Sequence, residues 1–444
     1  MDANEDLRLT VRQHRRARRL AYWNGAVWAV GNGLASTTLI VYLAMDLGAD
    51  KIGLGIGLIL ATQHVVGLLR LSAPAMIGRL MDRKRFCLGT FFVGTLVLLA
   101  LPLVVAPGRL PSAVASLRAL IVMWCLYHLL QYLGTIALWS WLADLVPLGI
   151  RGRFLGRRQR WIVAGEAAAM LSGGLFVWGW QYLYPQTPRW IAYATAATLG
   201  GGFMIAALVP LALIPRAVRS PTVRRGATLR SMLAPFSDSR FLRLLLFGCW
   251  FSLSNGLTQS AQFSYPKQVL GIVLFAMLAM QTGMRIGQVT VSPWLGRLAD
   301  RAGNRPVMLA CLFLVAQGPL FYLFSSPGQR WWIVGAWIVW IAYAGINVCL
   351  PNLMLKLSPE KSNTPYIATF YAVTGLCYAA NTILGGALFD RYGHTTWSGL
   401  GGVSLDYYQG IFLLGWIARS LGLLVLLLVI EGRGPRLETS ATPR

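Results

Sequence analysis

Gly296-Arg297-Leu298-Ala299-Asp300-Arg301-Ala302-Gly303-Asn304-Arg305-Pro306 puts four charged side chains into eleven residues, between two long apolar stretches at 269–294 and 307–325. An earlier run, Gly78-Arg79-Leu80-Met81-Asp82-Arg83-Lys84-Arg85, stands in the same way between 52–76 and 86–106. It keeps the Gly, the Leu, the Asp and the basic cluster, and lacks the second Gly. Each flanking stretch approaches or exceeds the ~20 apolar residues that cross a bilayer. A charged turn joining two such stretches, present twice, directs the reading toward a membrane protein with internal repetition.

The rest of the chain agrees. Its 444 residues are 56% hydrophobic and 12% charged, with mean hydropathy +0.57 and net charge +25. That is too little polar surface for a soluble domain, in which about a quarter of residues are charged. Six cysteines are too few for a secreted disulfide scaffold. A soluble nucleic-acid binder, suggested by the basic charge, conflicts with the hydropathy. Hydropathy places twelve spans near 22–45, 52–76, 86–106, 118–145, 160–182, 190–214, 241–263, 269–294, 307–325, 331–355, 366–388 and 407–430, here spans 1 to 12. The edges around Tyr265-Pro266-Lys267 are the least defined. Cys87, Cys125, Cys249, Cys311, Cys349 and Cys377 fall inside spans without metal-ligand spacing and read as small packing residues. Neither a metal nor a cofactor is implied.

Orientation follows from Lys and Arg. Thirty of the forty fall in segments on the N-terminal side of the bilayer, and seven fall in the loops on the other side. Both termini are therefore expected in the cytoplasm, in the plasma (inner) membrane. Arg12-Gln13-His14-Arg15-Arg16-Ala17-Arg18-Arg19 leads into a full-length span, so it reads as a topology determinant against anionic headgroups rather than a cleaved signal or a nucleic-acid patch. Only Arg70, Arg285 and Arg419 sit inside spans.

A basic linker at 215–240 divides the chain into bundles at 1–214 and 241–444, and the two match. Asn32-Gly33-Leu34 answers Asn255-Gly256-Leu257, and Leu47-Gly48 answers Leu270-Gly271, at an offset of 223. Gln63 answers Gln281, and Gly78-Arg79-Leu80 answers Gly296-Arg297-Leu298, at 218. Pro147 answers Pro359, and Gly173-Gly174 answers Gly385-Gly386, at 212. The offset shrinks stepwise, as loop deletions in the second half would make it do. A same-sense repeat of six spans implies two bundles about an axis along the membrane normal, the construction of transporters with a midplane site.

The run at 296–306 resembles the signature loop of the major facilitator superfamily, G-x-L-A-D-R-x-G-R/N-R, with a degenerate copy at 78–85. Asp144-Leu145-Val146-Pro147 followed by Arg151-Gly152-Arg153-Phe154-Leu155-Gly156-Arg157-Arg158 is similar to the D-x-x-P…R-G-R-x-G-R loop of a mainly bacterial branch. The resemblance implies an all-α membrane protein of twelve transmembrane helices in two pseudo-symmetric six-helix bundles. It also implies that Gly78, Asp82, Arg83, Gly296, Asp300, Arg301, Gly303 and Arg305 latch each bundle in one state and release it in the other. The alternative is that the loops only set topology.

Polar groups inside spans cost ~2.5–3.5 kcal/mol on insertion scales when charged, so they are functional candidates. Gln63, Gly67 and Arg70 share one face of span 2, and Gln281, Arg285 and Gln288 share one face of span 8. Glu166 is the one acid deep in a span, roughly 9 Å along span 5 from Arg160 at 1.5 Å per residue. In the resembling fold span 5 faces span 8, so Glu166 and Arg285 are expected to pair, as a gate, a proton-linked switch or a static bond. On span 4, Trp124, His128, Gln131, Thr135 and Trp139 lie on roughly one face. His128-Leu129-Leu130-Gln131-Tyr132 stands where proton-exchanging members show R-x-x-Q-G, with His for Arg and Tyr for Gly. His128 reads either as a coupling group or as a structural histidine. His64 is a weaker candidate of the same kind, and Arg419 reads as structural.

The remaining candidates for a substrate cavity are Trp28, Asn32 and Ser36 on span 1, Asn255, Gln259 and Gln262 on span 7, Trp340, Tyr343 and Asn347 on span 10, and Tyr378 and Asn381 on span 11. Amides and rings with few charges suit a small neutral-polar or amphipathic solute. The reading is a secondary active transporter working by alternating access as a monomer, with protons as the candidate coupling ion. Alternatives are a drug or metabolite efflux antiporter and a non-transporting sensor or lipid transporter. Efflux antiporters of the family carry G-x-x-x-G-P-x-x-G-G in span 5; Gly165 to Gly174 here lacks the Pro. Scattered acids and four histidines supply no catalytic constellation, so no enzyme is expected.

Overall fold

A computed structural model describes residues 10–49, 51–70, 82–146, 148–215, 229–359, 363–393, 395–398 and 404–431. Nearly every segment is helical, as a chain crossing hydrocarbon must be to satisfy its backbone internally. Span 1 is two helices, Val11–Leu34 and Thr37–Asp46, interrupted where the Ser36 side chain caps the second. Span 2 is Ile52–Val66 with a tighter turn at Gly67–Arg70. Spans 3 to 6 are Arg83–Val105, Ala113–Leu145, Leu148–Leu183 and Arg189–Ala212. Spans 7 and 8 are Ser239–Gln268 and Leu274–Ala302.

Span 9 is Asn304–Ala316 with Gly318–Phe324. Span 10 is Trp332–Val339 and Tyr343–Leu357, joined by a 3-10 turn at Trp340–Ala342. Spans 11 and 12 are Asn363–Tyr392 and Tyr407–Leu427. Among the described residues, eleven spans are long and apolar enough to cross a bilayer by length and composition. The other is span 8, whose 29 residues include Arg285 at mid-length and a charged end.

Several boundaries differ from the sequence reading: span 1 begins at Val11, so the basic cluster at 12–19 is already helical, and span 5 begins at Leu148. Tyr265-Pro266-Lys267 lies within span 7, and the chain turns later, where Gly271 takes φ +64°. Gly48 takes φ +70° after span 1, so the repeated Leu-Gly pair marks the same turn in both halves. Within the expected linker, Leu229–Ser237 is a short helix, and Asp238 caps span 7 by accepting the Arg240 and Phe241 N–H groups. A small antiparallel pair, Thr396–Ser398 with Ser404–Asp406, precedes span 12.

Packing is two-fold. In the first half span 1 lies against spans 5 and 6, span 3 against 4 and 6, and span 2 against 4. In the second, 7 lies against 11 and 12, 9 against 10 and 12, and 8 against 10. Adding six to each number converts one set into the other. Between halves the main seams are span 2 against 11 and span 5 against 8, which the same operation exchanges. The repeated glycines serve these contacts. A Cβ on Gly174 would meet Phe275 across the 5–8 seam, and one on Gly386 would meet Gly53 and Leu54 across the 2–11 seam. Large apolar side chains such as Leu103, Val122, Ile338 and Leu424 point outward and exposed, a surface suited to lipid.

Candidate functional site

The seams close at the end away from the N-terminus, here the far end. Lys267 donates to Asp46 Oδ1 at 2.5 Å and to the Tyr42 carbonyl at 2.8 Å. The Tyr42 hydroxyl donates to the Ile272 carbonyl at 3.1 Å, and the Thr38 hydroxyl donates to Gln281 Oε1 at 3.0 Å. Asp390 accepts the N–H groups of Gly53 and Leu54. Each of these bonds joins the two halves. Below them lies a cavity of about 510 Å³, walled by both halves.

At its wall Arg285 Nη1 meets Glu166 Oε1 at 2.6 Å, joining span 8 to span 5. Asn32 Nδ2 donates to the same oxygen at 3.4 Å. The Glu166 side chain is 19% exposed and that of Arg285 is 43% exposed, so the pair is open to the cavity and its net strength is modest. Because each partner belongs to a different half, the pair reports on their separation.

Of the sequence candidates, Asn32, Ser36, Gln63, His128, Asn255, Gln259, Gln262, Gln281, Trp340, Tyr343 and Tyr378 line this cavity with Glu166 and Arg285. The amides are held by a local network. The Tyr343 hydroxyl donates to Asn255 Oδ1 at 2.6 Å, and Gln259 Nε2 donates to Gln262 Oε1 at 3.3 Å. Gln63 Nε2 donates to the Thr37 hydroxyl at 3.0 Å. His128 presents its ring edge-on to Trp124, with centroids 4.4 Å apart, and its Nε2 is buried without a partner among the described residues. His64 lies against Tyr378 across the halves, with centroids 4.0 Å apart.

Five candidates fall outside the lining. Trp28 is not among the cavity residues, and its indole N–H is buried without a partner among the described residues. Gln131 is buried inside the first bundle near Gly94, and the Thr135 hydroxyl bonds back to the Gln131 carbonyl. Asn381 donates to the Leu253 carbonyl on its neighbouring helix, and Asn347 is exposed and not among the cavity residues. Gly78 and the Arg70 side chain lie outside the described residues. Residues the sequence reading missed include Thr37, Thr38, Phe251, Tyr322 and Trp337, all in the lining. The helix break at Ser36 turns both threonines inward, and a sequence shows such a break only as a serine.

The expected latch residues behave differently in the two copies. Asp82 caps span 3, accepting the Arg85 N–H at 3.0 Å, with the Arg85 guanidinium 3.3 Å away, while Arg83 begins that helix. Asp300 and Arg301 are exposed at the end of span 8, and Asp300 has no ion-pair partner among the described residues. Gly296 lies beside Val348, and Gly303 makes the turn into span 9 at φ +92°. The group that holds this turn is Glu431, just beyond span 12. It accepts from the Asn304 amide at 2.7 Å, the Arg305 N–H at 2.9 Å and the Lys356 ammonium at 2.8 Å. Arg305 also donates to the Leu427 carbonyl at 2.5 Å, as Lys84 does to those of Ala212 and Ile214 in the first half.

The family model described as Major Facilitator Superfamily matches residues 21–364 and 280–443. A tetracycline resistance protein, class H, of Pasteurella multocida is 33% identical over 108 residues. That match spans 24% of this chain and only about a quarter, 26%, of that relative. A mutant of the nucleoside transporter NupG superposes with TM-score 0.68 at 15% identity, covering 94% of this chain and 100% of that one. The D-xylose-proton symporter gives 0.64 at 15% identity, over 94% and 97%. A bacterial homolog to the human lysosomal transporter Spinster, in an inward-facing and unoccupied conformation, gives 0.62 at 11% identity, over 95% of each chain. At these identities the likeness to the solved structures shows the fold.

Proposed function

The chain belongs to the major facilitator superfamily, a family of multi-pass membrane transporters, and we propose that it is a secondary active transporter moving a small polar or amphipathic solute by alternating access, coupled to protons through Glu166. The observation that carries this reading is the 2.6 Å Glu166–Arg285 pair, which joins the halves at the wall of the cavity they share. Proton uptake by Glu166 cancels its charge and removes the attraction to Arg285, so the halves are free to move about that seam. Solute entering between them supplies the other half of the coupling. With both termini in the cytoplasm, the sealed far end faces out and the cavity opens inward. The protein acts as a monomer in the plasma membrane, each chain holding a whole cavity. Amide groups from Asn32, Gln259 and Gln281 meet the solute's polar edge, and the rings of Trp340 and Tyr378 meet its apolar face.

Purified protein in liposomes, screened for uptake of labelled solutes with and without a pH gradient, tests this. Saturable flux that the gradient accelerates is expected, and Glu166→Gln should remove the acceleration. Flux of Glu166→Gln that still follows the gradient sinks the proton role, and no saturable flux of any solute favours a sensor. The partial match to a tetracycline resistance protein supports a second reading, drug efflux. Deleting the protein should then sensitise cells to tetracycline.

A further inference from the structure

A second pocket, of about 230 Å³, lies on the seam at the far end, apart from the central cavity. Trp178, Gln181, Arg189 and Tyr193 enter from the first half, and Lys267 and Phe275 from the second. Its charges do not balance. The Lys267 ammonium is paired with Asp46, donates also to the Tyr42 carbonyl, and lies 4.8 and 5.7 Å from the ring centroids of Tyr42 and Tyr193. An ammonium has three N–H groups, so one remains for the pocket. Arg189, the first residue of span 6, has no acid partner among the described residues. The pocket therefore holds one uncompensated cation beside a spare ammonium donor.

Its surroundings indicate what the cation meets. Trp178 is 52% exposed and stacks on Tyr182 at 6.0 Å, and Trp180 and Tyr184 pair at 5.3 Å in the same stretch. Exposed tryptophans and tyrosines at the end of a span mark the headgroup level of a bilayer. Exposed Leu175 lies below on span 5, and exposed Val273 lies across the seam. A cationic pocket at headgroup depth, with an apolar lip open to the bilayer, matches a phosphate whose acyl chains run down the outside of the helices.

We propose that this pocket binds the phosphate headgroup of an anionic membrane lipid, with Arg189 as its charge partner and Lys267 as its second donor. The walls come from both halves, so the bound headgroup ties them together at the end that must part for the cavity to open there. A ligand that binds only the sealed arrangement shifts the population toward it. This inference goes beyond the transport reading and does not depend on which solute is carried.

The full-length protein in detergent is titrated with phosphatidylglycerol, with phosphatidylcholine and with inorganic phosphate. Melting temperature and lipid adducts in native mass spectrometry are both read. Phosphatidylglycerol should raise the melting temperature and remain bound, while the other two do neither. Arg189→Gln, at an exposed position, should weaken phosphatidylglycerol binding about tenfold, the loss of one charge-assisted contact. Arg189→Lys should restore much of it. Arg109→Gln, in another loop at the far end and outside the pocket, should leave binding unchanged. Undiminished binding by Arg189→Gln overturns the site. Equal protection by inorganic phosphate overturns the lipid as its source and assigns the pocket to a soluble anion.

Discussion

Asp390, near the end of span 11, places both carboxylate oxygens on span 2: Oδ1 accepts the Gly53 N–H at 2.7 Å and Oδ2 accepts the Leu54 N–H at 2.8 Å. Lys51 at that helix start makes no side-chain cap. The orphan N–H groups of one half are thus satisfied by an acid of the other. Opening the far end must break both bonds. Hydrogen bonds to a charged group contribute about 1.5–3 kcal/mol, so Asp390→Asn should shift the balance toward the far-open form by tenfold or more. Spin-label distances between the far ends of spans 2 and 11 measure that population. An unchanged distribution in the variant means that the carboxylate does not hold the seal.

The glycines offer a second way to separate the seam from the bundles. A Cβ on Gly386 would strike the Gly53 carbonyl and lie 3.1 Å from the Leu54 Cα, both across the seam. A Cβ on Gly200 would lie 2.7 Å from the Gly31 carbonyl, inside the first bundle. Backbone cannot yield as a side-chain tip can. Gly386→Ala should therefore fold and melt near the wild-type temperature, yet fail to close its far end and lose solute flux. Gly200→Ala should lower the melting temperature and the yield. Equal melting temperatures for the two variants would show that seam and bundle contacts are not energetically distinct.

The reach of the sequence follows the same division. Long apolar runs gave the spans because length and hydropathy are local properties. Ordered glycine matches exposed the two-fold arrangement, and Gly33 and Gly256 indeed meet the fifth helix of their own half, at Glu166 and Tyr378 carbonyls. Asn255, Gln259, Gln262 and Gln281 were legible as cavity amides, since few polar groups survive inside spans. Gln131, Thr135 and Asn381 show the limit. A helix inside a bundle buries two faces, and hydropathy does not tell the face toward its own bundle from the face toward the cavity. Tyr322 and Trp337 were invisible for the converse reason, being aromatic residues in apolar runs where packing and lining look alike. Glu431 gains its role only from the fold, which brings the residue after span 12 to the start of span 9.

Glu431 carries the pH prediction. Burial pushes its carboxyl up, but the Lys356 ammonium and the Arg305 and Asn304 donors outweigh that and hold it down at about 2, against an ordinary 4.5. A carboxyl depressed in the folded state stabilises the fold above its unfolded value and loses that contribution as pH falls toward the folded one. Glu431→Gln should accordingly melt below wild type near neutral pH. The difference should shrink as pH drops from about 4.5 toward about 2. Melting curves of both proteins across that range read it directly, and a difference independent of pH would show that shape rather than charge makes the bond.

Arg419 sits 1% exposed in span 12 and is tied by a hydrogen bond to Thr258 on span 7. Its Nη2 donates to the Thr258 hydroxyl at 2.7 Å, and Gln262 Nε2 donates to the same oxygen at 3.0 Å. Gln262 then turns its carbonyl to Gln259. One hydroxyl thereby fixes which end of each amide faces the solute, while Arg419 Nε and Nη1 have no partner among the described residues. Thr258→Val keeps the shape and removes the acceptor, leaving a buried cation without its bond at a cost of about 1–3 kcal/mol. It should lower the melting temperature and raise the KM for the transported solute several-fold while leaving the maximal rate within about twofold, because only binding orientation is lost. Thr258→Ser, which retains the hydroxyl, should restore the KM. If Val and Ser variants share one KM, the hydroxyl does not orient the amides, and Arg419 acts on stability alone.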